Sequence, residues 1–209
     1  MEGVDFSHII EAYERTLTEH GCTAAGVQWI SAATQRRRFE VISALFDGPF
    51  TVNDYACGYG AFFEFASSRL LMARYVGIDA TPAMVAAARQ LIVDPRATFM
   101  CDTTVSTTAD YTIASGAFGL PGSNGRPQWQ AWIREELRNM WNHSRRGIAF
   151  NILDARAADQ PEGFFFADGD EFAQWCRDSL SPHVELLTPP GANDWTILVR
   201  RNDLRSSSR

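Results

Sequence analysis

Residues 50–62 read FTVNDYACGYGAF, and this stretch decides the fold. Phe50 to Ala56 are rich in aromatic and β-branched side chains, the composition of a strand. The pattern breaks at Gly58-Tyr59-Gly60, and helical spacing resumes at Ala61. A strand, a glycine turn and a helix in that order expose free backbone N–H groups at the helix start, which is how α/β proteins receive a nucleotide.

Working outward, the elements alternate. Helical spacing covers 5–19 and 32–46, where Phe39, Ile42, Leu45 and Phe46 recur at three- and four-residue intervals. After the turn a helix is expected over 61–74 and a strand at YVGID (75–79), with Thr81-Pro82 opening the next helix. ATFMCD (97–102), YTIASG (111–116) and GIAFNIL (147–153) read as further strands, with a tryptophan-rich helix at 128–142 between the last two. A helix near 169–179 and the strands VELLT and WTILVR close the chain, the last two as a hairpin around PPGAND. The expected fold is α/β, a Rossmann-like seven-stranded, mostly parallel sheet with one antiparallel strand and helices on both faces. Residues 1–48 form an N-terminal helical cap, 49–203 the core of the same single domain, and 204–209 a frayed tail.

Composition narrows the function. A chain of 209 residues with 45% apolar and 21% charged residues is an ordinary single-domain globule. No apolar run reaches the roughly 20 residues that span a bilayer, and MEGVDFSHII lacks a secretion signal, so a cytoplasmic protein with no membrane partner is expected. A net charge of −6 argues against a nucleic-acid footprint. All 19 basic residues are arginine, which removes a phosphate-loop lysine and a Schiff base. Cys22, Cys57, Cys101 and Cys176 show no zinc spacing; no metal is expected, and Cys57 and Cys101 are candidates for lining a pocket.

The ligand of the turn is chosen by charge. GxGxxG is half met, because Phe63 stands where the third glycine of a dinucleotide site belongs. Asp54, at the end of the first strand, would repel a pyrophosphate lying there. It suits a ligand with a free ammonium and a sulfonium, such as S-adenosylmethionine. Asp79 ends the second strand in position to accept from ribose hydroxyls, and Asp102 ends the third, spaced to reach an adenine amino group.

At this point the sequence resembles the class I S-adenosylmethionine-dependent methyltransferases. VNDYACGYG resembles that family's first motif, YVGIDATPAMVAAAR its second, FMCD its third and ADYTIASGAF its fourth, over about residues 50–155. The flanks, with Tyr13, Gly26-x-x-Trp29 and Gln35-x-x-Arg38-Phe39 ahead of the first motif, resemble a bacterial subgroup of small-molecule type. The resemblance implies a cofactor site made by Asp54, Ala56, Cys57, Gly58, Gly60, Asp79, Ala80, Met84, Asp102, Thr103 and Ser115, with Trp29 and Arg38. Ala56 replaces the usual first glycine, so its methyl would either crowd the cofactor or require φ below zero.

Tyr13, Trp29, Gln35 and Arg38 are candidates to cover the cofactor from the N-terminal side, Arg38 by pairing with its carboxylate. The loops 116–128 and 154–166 lie where an acceptor would bind, and Phe118, Trp129 and Trp132 are candidate aromatic walls. Methyl transfer from a sulfonium is an in-line displacement that needs positioning more than a protein nucleophile, and no base is assigned; His8 reaches the site only if the first helix forms a lid. The expected function is transfer of a methyl group to a small molecule. The rivals are an RNA or protein methyltransferase and a non-catalytic cofactor-binding partner subunit.

Overall fold

The computed structural model describes residues 3–201; the tail expected at 204–209 lies outside them. One sheet runs through the molecule, with strands β1 (Phe50–Tyr55), β2 (Met72–Asp79), β3 (Ala97–Cys101), β4 (Ala109–Ala114), β5 (Ser144–Asp154), β6 (Phe166–Ala167), β7 (His183–Leu187) and β8 (Asp194–Arg200). Their spatial order is β3-β2-β1-β4-β5-β8-β7, and β6 adds beside β5. All pairings are parallel except those of β8, which runs antiparallel to both β5 and β7. The hairpin and the lone antiparallel strand are therefore as the sequence indicated. The additional strand β6, two residues long, carries too little pattern to be read without its partner.

Six helices cover the sheet: α1 (Ser7–His20), α2 (Ala32–Ile42), α3 (Ala61–Ala66), α4 (Pro82–Leu91), α5 (Arg126–Asn142) and α6 (Gly169–Ser179). Local chemistry sets their starts. Ser31 and Thr34 form a reciprocal capping box on α2, and Asp168 accepts from the first N–H groups of α6. Pro82 occupies the first turn of α4. The helix expected over 61–74 stops at Ala66, where Ser67 Oγ turns back onto Glu64 O, and β2 begins at Met72, which is buried beside the core phenylalanines.

Strand alternation divides the core in two. Ile148, Phe150 and Ile152 of β5 and Trp195, Ile197 and Val199 of β8 face α5 and α6, whereas Ala149 and Leu198 face the α2–α3 side. On that second side Phe39, Phe46, Phe50, Phe62 and Tyr111 pack ring against ring. The strand order reverses between β1 and β4, so a crevice opens at their carboxyl ends.

Candidate cofactor and acceptor sites

The crevice is built from two turns. Asp54 lies in the centre of the sheet, paired to Gly77 on one side and Ile113 on the other. The chain then passes through three left-handed residues, Ala56 (φ +57°), Gly58 (+56°) and Gly60 (+88°). A side chain at Gly60 would meet Ile92 Cδ1 at 2.5 Å, so close packing as well as φ requires glycine there. Asp79, ending β2, ties this turn to the next one. Its Oδ2 accepts from Gly58 N at 2.8 Å and its Oδ1 from Thr81 N at 2.8 Å.

Ala56 corrects one expectation. Rather than forcing φ below zero, it takes the glycine-like conformation at φ +57°, and the turn keeps its shape at the expense of strain. A left-handed non-glycine residue costs roughly 1–2 kcal/mol. Ala56→Gly is expected to raise the melting temperature by about 2–4 °C, the equivalent of about 1 kcal/mol in a domain of this size, without weakening cofactor binding. Differential scanning calorimetry of the two proteins checks it; an unchanged or lower melting temperature contradicts it.

The first cavity lies over these turns, with Asp54, Asp79, Ala80, Thr81 and Met84 on its floor and Ser115, Gly116 and Ala117 at the end of β4. Phe6, Ile9 and Tyr13 from α1, with Val27 and Trp29, make its roof. Two carboxylates face it, and none of the residues lining it is basic. Asp54 is 3% exposed, and its Oδ2 accepts from Tyr75 Oη at 2.6 Å, leaving Oδ1 for the cavity. Burial pushes the Asp54 carboxyl up to about 7; the Tyr75 bond pulls it down, and the charge of Asp79 adds to the rise. Burial also raises Asp79, against the bonds from Thr81 and Gly58 that lower it. Ser115 Oγ is buried and has no hydrogen-bond partner.

This donor set fits S-adenosylmethionine. A carboxylate held out of water seeks a cation, Asp79 meets hydroxyls, and the orphaned Ser115 hydroxyl is available to a polar ligand atom. The open space is about 90 Å³, far below the roughly 300 Å³ at which ligand pockets begin.

The raised Asp54 carboxyl gives affinity a pH dependence. In the ligand-free protein it is half protonated near pH 7, and a cation binds the ionised form. Affinity for S-adenosylhomocysteine, which retains the ammonium, is expected to fall up to about tenfold per pH unit below 7 and to level off above it. The stability of the free protein moves the opposite way. The unfolded carboxyl ionises near 3.8, so stability falls as pH rises from there to about 7. Calorimetric titrations from pH 5.5 to 8.5 read the first effect; affinity flat across that range excludes an ionised Asp54 as the partner.

A second cavity of about 330 Å³ opens beyond the first. Tyr13, Val27, Trp29 and Gly116 line both, so the two meet at this wall. A Cβ at Gly116 would come within 2.7 Å of the Trp29 ring, so the indole lies flush against the end of β4. Arg38 braces the outer side, its guanidinium 4.2 Å from the Trp29 ring centre and its Nε donating to Asp194 Oδ2 at 2.6 Å. Leu120, Leu153, Phe164 and Phe166 supply apolar walls.

The structure gathers Tyr13, Trp29, Gln35, Asp54, Ala56, Cys57, Gly58, Asp79, Ala80, Met84, Ser115 and Trp129 around the first cavity. Other expected residues fall elsewhere. Arg38 lies off the first cavity and lines the second, its charge met by Asp194, so it is not the first choice for a cofactor carboxylate. Asp102 turns its Oδ1 onto Thr103 N and Thr104 N, and neither it nor Thr103 lines a cavity. Cys101 is exposed and off the cavity, unlike Cys57, and all four thiols are free. Phe118 is fully buried beneath Trp132 and Tyr55, a core residue rather than a pocket wall. Trp129 and Trp132 wall the first cavity, not the acceptor space, with Trp129 Nε1 donating to Phe118 O at 2.9 Å. His8 points its mostly exposed ring toward Glu11. Tyr75, Asn151 and Asp194 were missed. Tyr75 is indistinguishable in sequence from any strand aromatic, whereas Asn151, a lone amide in GIAFNIL, carried a signal.

A reversed-order α/β sheet with a carboxylate-lined crevice at the switch point defines a nucleotide-dependent enzyme whose ligand is cationic. Comparison with known proteins makes this specific. The Mycobacterium tuberculosis protein named "Putative methyltransferase Rv1506c" is 35% identical over 156 residues, covering 73% of this chain and 94% of its own length. The chain therefore belongs to the class I S-adenosylmethionine-dependent methyltransferases. Among solved structures, N-methyltransferase NodS from Bradyrhizobium japonicum WM9 in complex with S-adenosylhomocysteine superposes at a TM-score of 0.69 and 15% identity, over 94% of this chain and 100% of that one. Magnesium protoporphyrin IX methyltransferase from Synechocystis PCC 6803 with bound S-adenosylmethionine does so at 0.63 and 14% identity, over 95% of each chain. At such identities these two structures speak to the fold alone. No family model matches the chain. Among the described residues, no helix is long and apolar enough to cross a membrane.

Proposed function

We propose that this methyltransferase acts on a small molecule seated in the second cavity. The observation that carries the reading is that cavity itself: about 330 Å³, mostly apolar, sharing the Trp29–Gly116 wall with the cofactor crevice. A space of that size accommodates a whole small ligand. The net charge of −6 also disfavours an RNA acceptor.

When bound, S-adenosylmethionine supplies a methyl group on a sulfonium, already activated for displacement. The chain's own residues then have three tasks. Asp54 fixes the cationic tail and Asp79 the ribose, which sets the direction of the transferable group along the β4 edge. The passage between the cavities runs past Gly116, which lines both, with Ser115 on the cofactor side. Trp29, backed by Arg38 and Asp194, covers that passage and excludes water. Positioning of this kind contributes about 7–11 kcal/mol to such a step, so the absence of an assigned base is consistent with the chemistry.

The test is to incubate the enzyme and S-adenosylmethionine carrying a radiolabelled methyl group with a fractionated cell extract. Label is expected in the low-molecular-mass organic fraction. Label confined to RNA or protein overturns the proposal.

A further inference from the structure

Asn151 lies inside β5, opposite Thr196 of β8, and is 3% exposed. Its amide has one partner. Oδ1 accepts from Gly116 N at 2.8 Å, which settles which end of the amide is the donor Nδ2. Nδ2 is buried and has no hydrogen-bond partner. A buried donor left unpaired is a net cost to folding, and Asn151 lines the second cavity.

The rest of that cavity restricts what can meet this donor. Its two charged side chains, Arg38 and Asp194, neutralise each other at 2.6 Å, and Arg38 also donates to Asn193 Oδ1 at 3.1 Å. No charge is left over for an ionic ligand. The apolar lining continues outward to Ile30, 86% exposed, and Phe164, 40% exposed. An apolar ligand therefore finds cover both inside the cavity and at its mouth.

We propose that Asn151 anchors the methyl acceptor, and that the acceptor is an uncharged, largely apolar molecule presenting a carbonyl-type oxygen to Nδ2. The inference rests on the small-molecule reading above. It adds the chemistry of the ligand and a specificity-determining residue. Because Gly116 is held by the other end of the same amide and lines both cavities, the anchored oxygen sits close to the passage through which the methyl group must travel.

The test uses the full chain saturated with S-adenosylhomocysteine and two planar probes of equal shape, acetophenone and α-methylstyrene, which differ in C=O against C=CH₂. In the wild-type protein the side-chain amide proton of Asn151 is expected to move downfield with acetophenone and not with its isostere in ¹H–¹⁵N spectra. In Asn151→Leu the ratio of acetophenone to α-methylstyrene affinity is expected to fall about tenfold. If the variant does not fold, the wild-type spectra decide alone. A shift with both probes or with neither, or an affinity ratio the same in variant and wild type, overturns the inference. Label recovered only in macromolecules in the extract experiment instead overturns the reading beneath it, so the two failures are told apart.

Discussion

Asp54→Asn is expected to weaken S-adenosylhomocysteine binding by at least about 30-fold at pH 8, because losing one partner of a buried charge pair costs about 2–5 kcal/mol. The amide oxygen can still accept from Tyr75 Oη, the bond that now occupies Asp54 Oδ2 at 2.6 Å, so the strand and its surroundings are preserved. Two further readouts move in other directions. The pH dependence of affinity near 7 should vanish, since the titrating group is gone. The free protein should melt higher at pH 8, since an ionised carboxylate 3% exposed is costly to bury. Adenosine, which lacks the amino-acid tail, should bind both proteins within about twofold of each other, a difference of only a few tenths of a kcal/mol. Equal loss for adenosine and S-adenosylhomocysteine places Asp54 in scaffolding rather than in recognition of the tail.

Asp79→Ala is the second large effect. The carboxylate spans Gly58 N and Thr81 N, each at 2.8 Å, and faces the cavity between them. We expect it to hold the ribose, and hydrogen bonds to a charged group are worth about 1.5–3 kcal/mol each. Adenosine affinity should therefore fall about 100-fold or more, and the preference for adenosine over 2′,3′-dideoxyadenosine should disappear. Asp79→Asn, which keeps one carbonyl oxygen, should lose less. Titration of the three proteins with both nucleosides measures this, and an Asp79→Ala protein that keeps full adenosine affinity removes the ribose assignment.

Much of this site was written locally. The strand ending in Asp54, the turn through Gly60 and the second strand ending in Asp79 are contiguous segments, so their spacing alone placed two carboxylates at one sheet edge. Other assignments failed for reasons that lie outside any local window. Arg38 in sequence is a cation two residues beyond Arg36; in the fold its partner is Asp194, 156 residues away. Phe118 and Trp129 both flank the loop after the fourth strand as large aromatics, yet one packs under Trp132 in the core and the other, in α5, reaches the cavity. Asp102 follows directly on its strand, but its Oδ1 accepts from the two backbone N–H groups just after it, and the residue lies off both cavities.

The sequence by itself determined the alternation of strands and helices, the lone antiparallel strand, the glycine turn and the sign of charge that chose the cofactor, because each depends on neighbours along the chain. Tertiary structure decided the rest. It set Tyr75 against Asp54, braced Trp29 with Arg38 and Asp194, and left the Asn151 amide half satisfied at the wall of a second cavity. Those pairings join β1 to β2, α2 to β8 and β5 to the segment after β4. Only closure of the sheet, driven by burial of its two apolar faces, brings such distant residues within hydrogen-bond reach.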